Sequence, residues 1–399
     1  MFKQILFIFI FLYSVTLTAQ WKRVFLNSNN DLYDIQMINN VGYLLGDNSM
    51  IMKTRDSGKS WRNLTLPTNL NGRCLFIVDT SIGFITGENA KILKTTNGGV
   101  SWAQKYIQTA TYAYGIKFSG NNGICVGKNL LAIRSQDFGE TWQSDTTFNS
   151  RKQLNSVCIL PNGMCWAVGD SGYIIKKNIS AKRWTKLPNL TKMSLNHIAN
   201  MGDSILYISG GFHDTAGGTS TYKNIFLYSK DSGNTWQQTI FSETKIVNKA
   251  WYVNKDTAYF VGNGGLVSKS YNILNNRALQ LTGTANSLNA ISFANSIGMI
   301  VGDGGLVLRT TNNGGFRLNT TQSKHENKFV AYPNPSTGLI YLKNENDIQN
   351  IQIRNMEGKI VSYNLINKHT IEIQSDGMYF MTITDKNFET QTQKILVLK

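Results

Sequence analysis

LYDIQMINNVGYLLGDNSMIMKTRDSGKSW, from Leu32 to Trp61, decides the fold. It contains a first apolar run, a second run closed by Gly46, a polar turn, a third run, and a Thr-x-Asp-x-Gly turn that ends on Trp61. The closing glycine recurs at Gly87, Gly127, Gly169, Gly210, Gly262 and Gly302, at intervals of 41, 40, 42, 41, 52 and 40. Units of this length, each with several short strand runs, predict an all-β chain: a seven-bladed β-propeller over residues 20–318. A blade cannot cover both of its own faces, so neighbouring blades supply the core. The ragged end units leave six or eight blades open. The long interval carries an insertion, FHDTAGGTSTYK, from Phe212 to Lys223. Residues Trp21 to Phe25 resemble the strand that follows the Trp of other units, and are expected to pair with the last blade and close the ring.

A second landmark is the tryptophan that ends a unit: Trp61, Trp102, Trp142, Trp184 and Trp236. The position is degenerate near Arg277, and Phe316 replaces it in the seventh unit. The motif Ser/Thr-x-Asp-x-Gly-x-Ser/Thr-Trp stands at Thr54 to Trp61, Ser135 to Trp142 and Ser229 to Trp236, with Asn97 in place of Asp between Thr95 and Trp102. Such a turn needs a carboxylate or amide to accept the bonds of its own backbone and a glycine to take the left-handed conformation. The tryptophan then packs between strands. Asp56, Asn97, Asp137 and Asp231 are therefore expected to be structural, because a unique catalytic acid does not recur at equivalent positions.

These turns are the Asp-box, or BNR, repeat. Together with the GDNS, GENA and GDGG turns they resemble the propeller family of the photosystem II assembly factor type, over roughly residues 21–318. Blades four, six and seven depart from the motif and follow it by spacing only. The resemblance implies a fold and leaves function open, since Asp-boxes occur in sialidases, xyloglucanases and non-enzymes alike.

The chain ends carry addresses. Residues 1–19 combine a basic Lys3, an apolar stretch from Ile5 to Leu17 and Ala19, which predicts a signal peptide too short to span a bilayer comfortably. No later run approaches the length of a membrane-spanning helix, so no transmembrane segment is expected. Residues 319–330 read as a polar linker. From 331 to 399 short alternating runs (Leu339 to Leu342, Ile348 to Ile353, Ile360 to Tyr363, Thr370 to Ile373, Met378 to Ile383, Lys394 to Leu398) predict a small β-sandwich, with a hairpin turn at Glu357-Gly358-Lys359. The segments YPNPSTG, NMEGKIV, GMYFMTI and KILVLK resemble the type A C-terminal sorting domain of the type IX secretion system. That resemblance implies the secretion machinery as a partner, passage through the periplasm, and release or attachment at the outer-membrane surface.

The 399 residues include 40 Lys+Arg and 24 Asp+Glu, for a net charge of +16. Nearly all the excess lies in the propeller. Apolar content of 41% and charged content of 16% describe a globular chain. Four Cys without a CxxC, and four His, argue against a cysteine zinc ribbon or a histidine-rich metal site, and no cofactor is expected. The densest basic stretch is Lys176, Lys177, Lys182, Arg183 and Lys186. It reads as an electrostatic patch for an acidic glycan, lipopolysaccharide phosphate or an acidic envelope protein, or as a solvated surface. A secreted chain has no call on intracellular nucleic acid.

The loops after each second strand lie on the face opposite the Asp-boxes. They bring Asp47, Glu88, Lys128, Asp170, Asn263 and Asp303 to the channel mouth, either as a polar ligand or cation site or as side chains satisfying their own turns. No Arg-Ile-Pro motif is present and glutamates are few, which argues against a sialidase. A glycosidase of another type needs two carboxylates at a fixed separation. The reading is a non-enzymatic binding protein, with a glycan-processing enzyme using the loop-face carboxylates as the alternative. Cys158 and Cys165 flank a Pro161-Asn162-Gly163 turn, and are expected either to bridge or to stay as buried thiols.

Overall fold

The computed structural model describes residues 21–398 except 109–110, 146–150, 203, 215–220, 244, 255–256, 273–275, 315–329, 344–347, 356–358, 368–369 and 386–389. The expected signal peptide, Phe316, the linker up to residue 329, the tip of the insertion and Glu357-Gly358 lie outside the described residues. The chain divides into two compact units, Met1–Arg317 and Leu318–Lys399.

In the first unit the described residues form seven four-stranded antiparallel sheets. The first is Leu32–Ile38, Val41–Gly46, Ile51–Thr54 and Arg62–Asn63, and five more follow with the same consecutive order. The seventh takes its outer strand from the other end of the unit: Lys22–Val24 pairs with Leu306–Thr310, Lys22 opposite Arg309. Trp21 stands where the seventh blade lacks its own tryptophan; it is 1% exposed, and its indole donates to Gln280 Oε1 at 2.7 Å. The innermost strands touch in cyclic order, Leu32–Ile38 meeting Gly72–Ile77 on one side and Leu288–Ala294 on the other. This is the β-propeller that the repeat predicts.

Apolar side chains fill the spaces between neighbouring sheets. Leu32, Ile35 and Leu44 of blade one pack with Ala290, Val301 and Val307 of blade seven across the closure. The repeating glycine has a steric cause. A Cβ on Gly46 would sit 2.2 Å from the Asp31 carbonyl oxygen, and one on Gly127 would sit 1.8 Å from that of Tyr112. The second strand therefore passes directly against the start of the innermost strand in each blade, and only glycine fits.

The Asp-box turns bond as their chemistry requires. Thr54 Oγ1 donates to Asp56 Oδ1 at 2.8 Å, Ser60 Oγ donates to Asp56 Oδ2 at 2.6 Å, and the amides of Lys59 and Ser60 also point at Oδ1. Thr141 and Thr235 bond Asp137 and Asp231 as Ser60 bonds Asp56, while Asn97 accepts from the Ser101 amide and donates from Nδ2 to Ser101 Oγ. Blade seven departs less than its sequence suggests: Thr310 Oγ1 donates to Asn312 and accepts from the Gly314 amide, so the first half of the turn is retained. Trp102 and Trp142 are buried, while Trp61 and Trp236 are half-buried.

The second unit has one sheet of Val330–Tyr332, Leu339–Lys343, Thr370–Glu372 and Asn364–Asn367, and another of Ile348–Asn355, Gly377–Asp385 and Thr390–Val397. They enclose Ile340, Ile353, Ile371, Met381 and Ile395. The expected strand at Ile360 to Tyr363 is displaced: Ile360 makes only an isolated bridge to Arg354, and the strand runs over Asn364–Asn367 instead. The YPNPSTG segment is stitched to the last strand, Asn334 Nδ2 donating to the Lys394 carbonyl and the Leu396 amide donating to Asn334 Oδ1.

Candidate functional site

Every innermost strand carries a β-bulge near its start, at the equivalent place in each blade. A bulge re-aims its extra residue out of the ladder. In blades four to seven that residue is Asn155, Asn196, Asn248 and Asn289. Each donates to a carbonyl at the start of the next innermost strand: Asn155 to Leu195 at 2.9 Å, Asn196 to Val247 at 3.3 Å, Asn248 to Leu288 at 3.0 Å and Asn289 to Leu32 at 2.9 Å. The four asparagines latch blade to blade around one end of the channel.

Blades one to three break this pattern. Their bulge residues are Tyr33, Arg73 and Tyr114. The Arg73 guanidinium lies 3.7 Å over the Tyr33 ring, and Tyr114 stacks with Tyr112 at 6.1 Å between centroids. All four are half-buried, and among the described residues no carboxylate pairs with Arg73. Burial raises the Tyr33 hydroxyl above its usual range, aided by its bond to Asp47; burial does the same to Tyr114, with the Arg73 charge opposing it. A planar cation laid on an aromatic face, with no carboxylate partner among the described residues and partly open to water, suits carboxylates or other anions carrying flat or apolar groups.

The loop-face residues stand at this same end of the sheets, after the second strand of each blade. Most are engaged by their own blade. Asp47 accepts from Tyr33 Oη at 2.7 Å, Glu88 from Asn71 at 3.0 Å, Asp303 from Asn289 at 2.7 Å, and Asn263 from Asn248 at 2.9 Å. Asp170 accepts weakly from Gln153 and Asn155, both at 3.3 Å. Lys128 is exposed and lies 5.8 Å from the Tyr112 ring centroid, joining the cationic and aromatic side. Among the described residues no group of three His, Cys, Asp or Glu could hold a metal ion. At this same end of blade five the insertion extends the sheet: the second and third strands lengthen to Ile205–Asp214 and Thr221–Ser229.

The basic stretch of blade four is not one surface. Lys182, Arg183 and Lys186 are exposed. Lys176 is half-buried, 5.1 Å from the Trp166 ring centroid. Lys177 is a correction: its side chain is fully buried, ion-paired with Asp145, bonded to the Ala181 carbonyl, and packed on Trp184. It replaces the Asp-box hydroxyl that Thr54 supplies in blade one.

Further cations hold blades together. Lys53 donates to the Gly98 carbonyl and Lys94 to that of Phe138, both at 2.6 Å, and Arg309 Nε donates to that of Ser57 at 2.7 Å. Each reaches the Asp-box turn of the next blade, so part of the basic excess is structural.

The four cysteines are free. Cys158 and Cys165 enter different core clusters on opposite faces of their sheet, so they cannot bridge. Burial raises all four thiols, Cys74 to about 11 and Cys165 to about 12. A rim cleft of about 570 Å³ lies beside Phe25, Leu26, Asn48, Met50 and Trp61.

Residues 330–398 match the secretion system C-terminal sorting domain, and residues 13–77 and 73–149 match photosynthesis system II assembly factor YCF48. No curated protein matches the chain. Among solved structures, YCF48 bound to a D1 peptide is 21% identical, with 74% of this chain and 98% of that one covered and a TM-score of 0.59. The GH74 xyloglucanase from Xanthomonas campestris is 11% identical, covering 96% and 75%, with a TM-score of 0.59. PorZ, a surface component of the type IX secretion system of Porphyromonas gingivalis, is 14% identical, covering 93% and 60%, with a TM-score of 0.52. These likenesses establish the propeller fold, and the sorting domain carries export from the cell or to its surface. Among the described residues no helix is long and apolar enough to cross a membrane.

Proposed function

We propose that this chain is a secreted or surface-attached binding module that holds an acidic polypeptide segment at the channel mouth, on the side of blades one to three. In this reading residues 1–19 are the signal peptide, 20–318 the propeller, 319–330 the linker and 331–399 the sorting domain, which engages the type IX machinery after passage through the periplasm. One observation carries the proposal: the Asn155, Asn196, Asn248, Asn289 latch is interrupted by Tyr33, Arg73 and Tyr114. A repeat that keeps one structural solution in four blades and abandons it in three adjacent ones has given up local consistency, and such departures concentrate at functional sites. Arg73, Lys128 and the tyrosines Tyr33, Tyr112 and Tyr114 offer cations and flat apolar faces together. A propeller of this type is known with a D1 peptide bound, which supports a peptide as the ligand class.

The test is retention of acidic and neutral peptides, and of acidic and neutral polysaccharides, on the purified chain, with released reducing ends measured in parallel. The proposal expects an acidic peptide to be retained without sugar release, Arg73→Asn to weaken it at least tenfold, and a Lys182→Glu/Arg183→Glu double variant to leave it nearly unchanged. The reverse ranking would move the site to the blade-four rim. Retention of a polysaccharide alone would replace the peptide with a glycan. Sugar release abolished by Asp47→Asn, Glu88→Gln, Asp170→Asn or Asp303→Asn would instead establish the enzymatic alternative.

A further inference from the structure

The channel lumen contains charge that the mouth site does not use. After the bulge, alternate residues of the innermost strands face one another across the axis. Asp34, Cys74, His197 and Lys249 each stand first after the bulge on four different innermost strands, and Lys117 stands two residues past the equivalent Gly115 on a fifth. With the innermost strands in cyclic order, these positions line the face that surrounds the channel.

The groups there are unevenly satisfied. Asp34 accepts the amides of Ile35 at 3.0 Å and Leu75 at 2.8 Å, and pairs with Lys249 at 2.5 Å. That carboxylate is fully used. Lys117 is exposed within the lumen and touches only the Phe76 ring, 5.1 Å from its centroid; among the described residues no carboxylate or carbonyl accepts from it. His197 Nδ1 is enclosed and has no hydrogen-bond partner. Burial, with Lys249 and Lys117 nearby, pushes the His197 pKa down to about 3, so the ring is neutral and has one N–H to offer. Among these described groups two ammonium ions face one carboxylate, which Lys249 takes, and burial lowers the unmatched Lys117 from its usual value, as expected of a cation that lacks its counter-charge. Taking an ion into such a site requires an opposite charge and hydrogen-bond partners.

We propose that the lumen binds one small anion, an oxyanion or a carboxylate, at Lys117. The observation behind it is independent of the mouth site, and the proposal stands whether or not the mouth binds a peptide. Two sources share this chemistry: a free inorganic ion and the C-terminal carboxylate of a polypeptide. The experiment is calorimetric titration of the purified full chain at constant ionic strength with sodium phosphate, with trialanine and with trialanine amide.

The expected result is saturable binding of phosphate or trialanine, one per chain, weakened at least tenfold in Lys117→Met and retained in Lys117→Arg. Phosphate alone binding identifies the free ion as the source. Trialanine binding while its amide does not identifies a chain terminus. Lys182→Gln, on the outer rim, is expected to leave either isotherm unchanged. Circular dichroism checks folding, and Lys117→Gln is the second variant should Lys117→Met not fold. No saturable heat with any probe, or equal affinity in wild type and the neutral variants, would overturn the proposal, as would binding lost only in Lys182→Gln.

Discussion

Consider replacing Asn289 with Ala and, separately, Arg73 with Asn. The Asn289 amide makes two bonds, to the Leu32 carbonyl at 2.9 Å and to Asp303 Oδ1 at 2.7 Å. The first crosses from blade seven to blade one, where the ring closes. A neutral hydrogen bond contributes about 1 kcal/mol net and one to a charged acceptor about 1.5 kcal/mol or somewhat more, so Asn289→Ala costs about 2–3 kcal/mol. With an unfolding entropy of roughly 2 cal/mol/K per residue over a unit of about 300 residues, the midpoint falls by about 3–5 °C. Arg73→Asn behaves differently. It forfeits a partly exposed cation–π contact worth about 0.5–1 kcal/mol. It supplies the amide that latches the other blades, worth about as much in return. The expected net change is within about 1 kcal/mol of zero, under roughly 2 °C. Both variants are measured by thermal and urea unfolding followed through tryptophan fluorescence. Loss of as much stability in Arg73→Asn as in Asn289→Ala would refute the reasoning, because Arg73 would then be part of the frame rather than a residue spared for a ligand.

Trp21→Ala should cost about 3–5 kcal/mol, the range for deleting a buried large aromatic, and limited proteolysis should find the closing strand first. Lys177→Ala should cost about 3 kcal/mol by taking from the buried Asp145 its short ion pair and leaving it the longer Arg134 contact at 3.9 Å and the Trp184 indole, whereas Lys182→Ala should stay within about 0.5 kcal/mol; chemical denaturation distinguishes them. Asp56, Asp137 and Asp231 are held at about 2: burial opposes ionisation at Asp56 but is outweighed by its bonds from Ser60, Thr54 and Lys59, while bonds from Thr141 and Thr235 dominate at the other two. A depressed carboxylate stabilises the fold above its unfolded value near 3.8 and loses that contribution as pH falls through about 2. Acid titration of a triple Asp56→Asn/Asp137→Asn/Asp231→Asn variant should therefore show a shallower loss of stability between pH 4 and 2 than the wild type.

Much of the frame was legible because its causes are periodic. Gly46 and its six equivalents recur since a Cβ there would strike a backbone carbonyl, and the Asp-box recurs since its hydroxyl and carboxylate close one turn geometry. The pairing of Lys22–Val24 with the last blade was legible for the same reason: a strand without its blade answers a blade without its strand. The candidate site was less so. Asp47, Glu88, Asp170 and Asp303 stood out as charged loop residues, but side chains of the preceding segment engage them, and that contact spans 14 to 17 residues in sequence. Tyr33, Arg73 and Tyr114 went unnoticed because nothing in composition marks them. Their signal was positional: aligning the seven innermost strands shows Asn at one place in four units and its absence in three. Lys177 misled because a charge run in sequence does not distinguish an exposed lysine from one that turns inward to Asp145.

The most direct test of the central claim is amide hydrogen exchange on the purified chain with and without the acidic peptide it retains. The account predicts protection at the starts of the innermost strands of blades one to three, around residues 31–34, 70–74 and 111–115. Protection confined to the Asp-box turns or to residues 176–186, with those three segments unchanged, would contradict it.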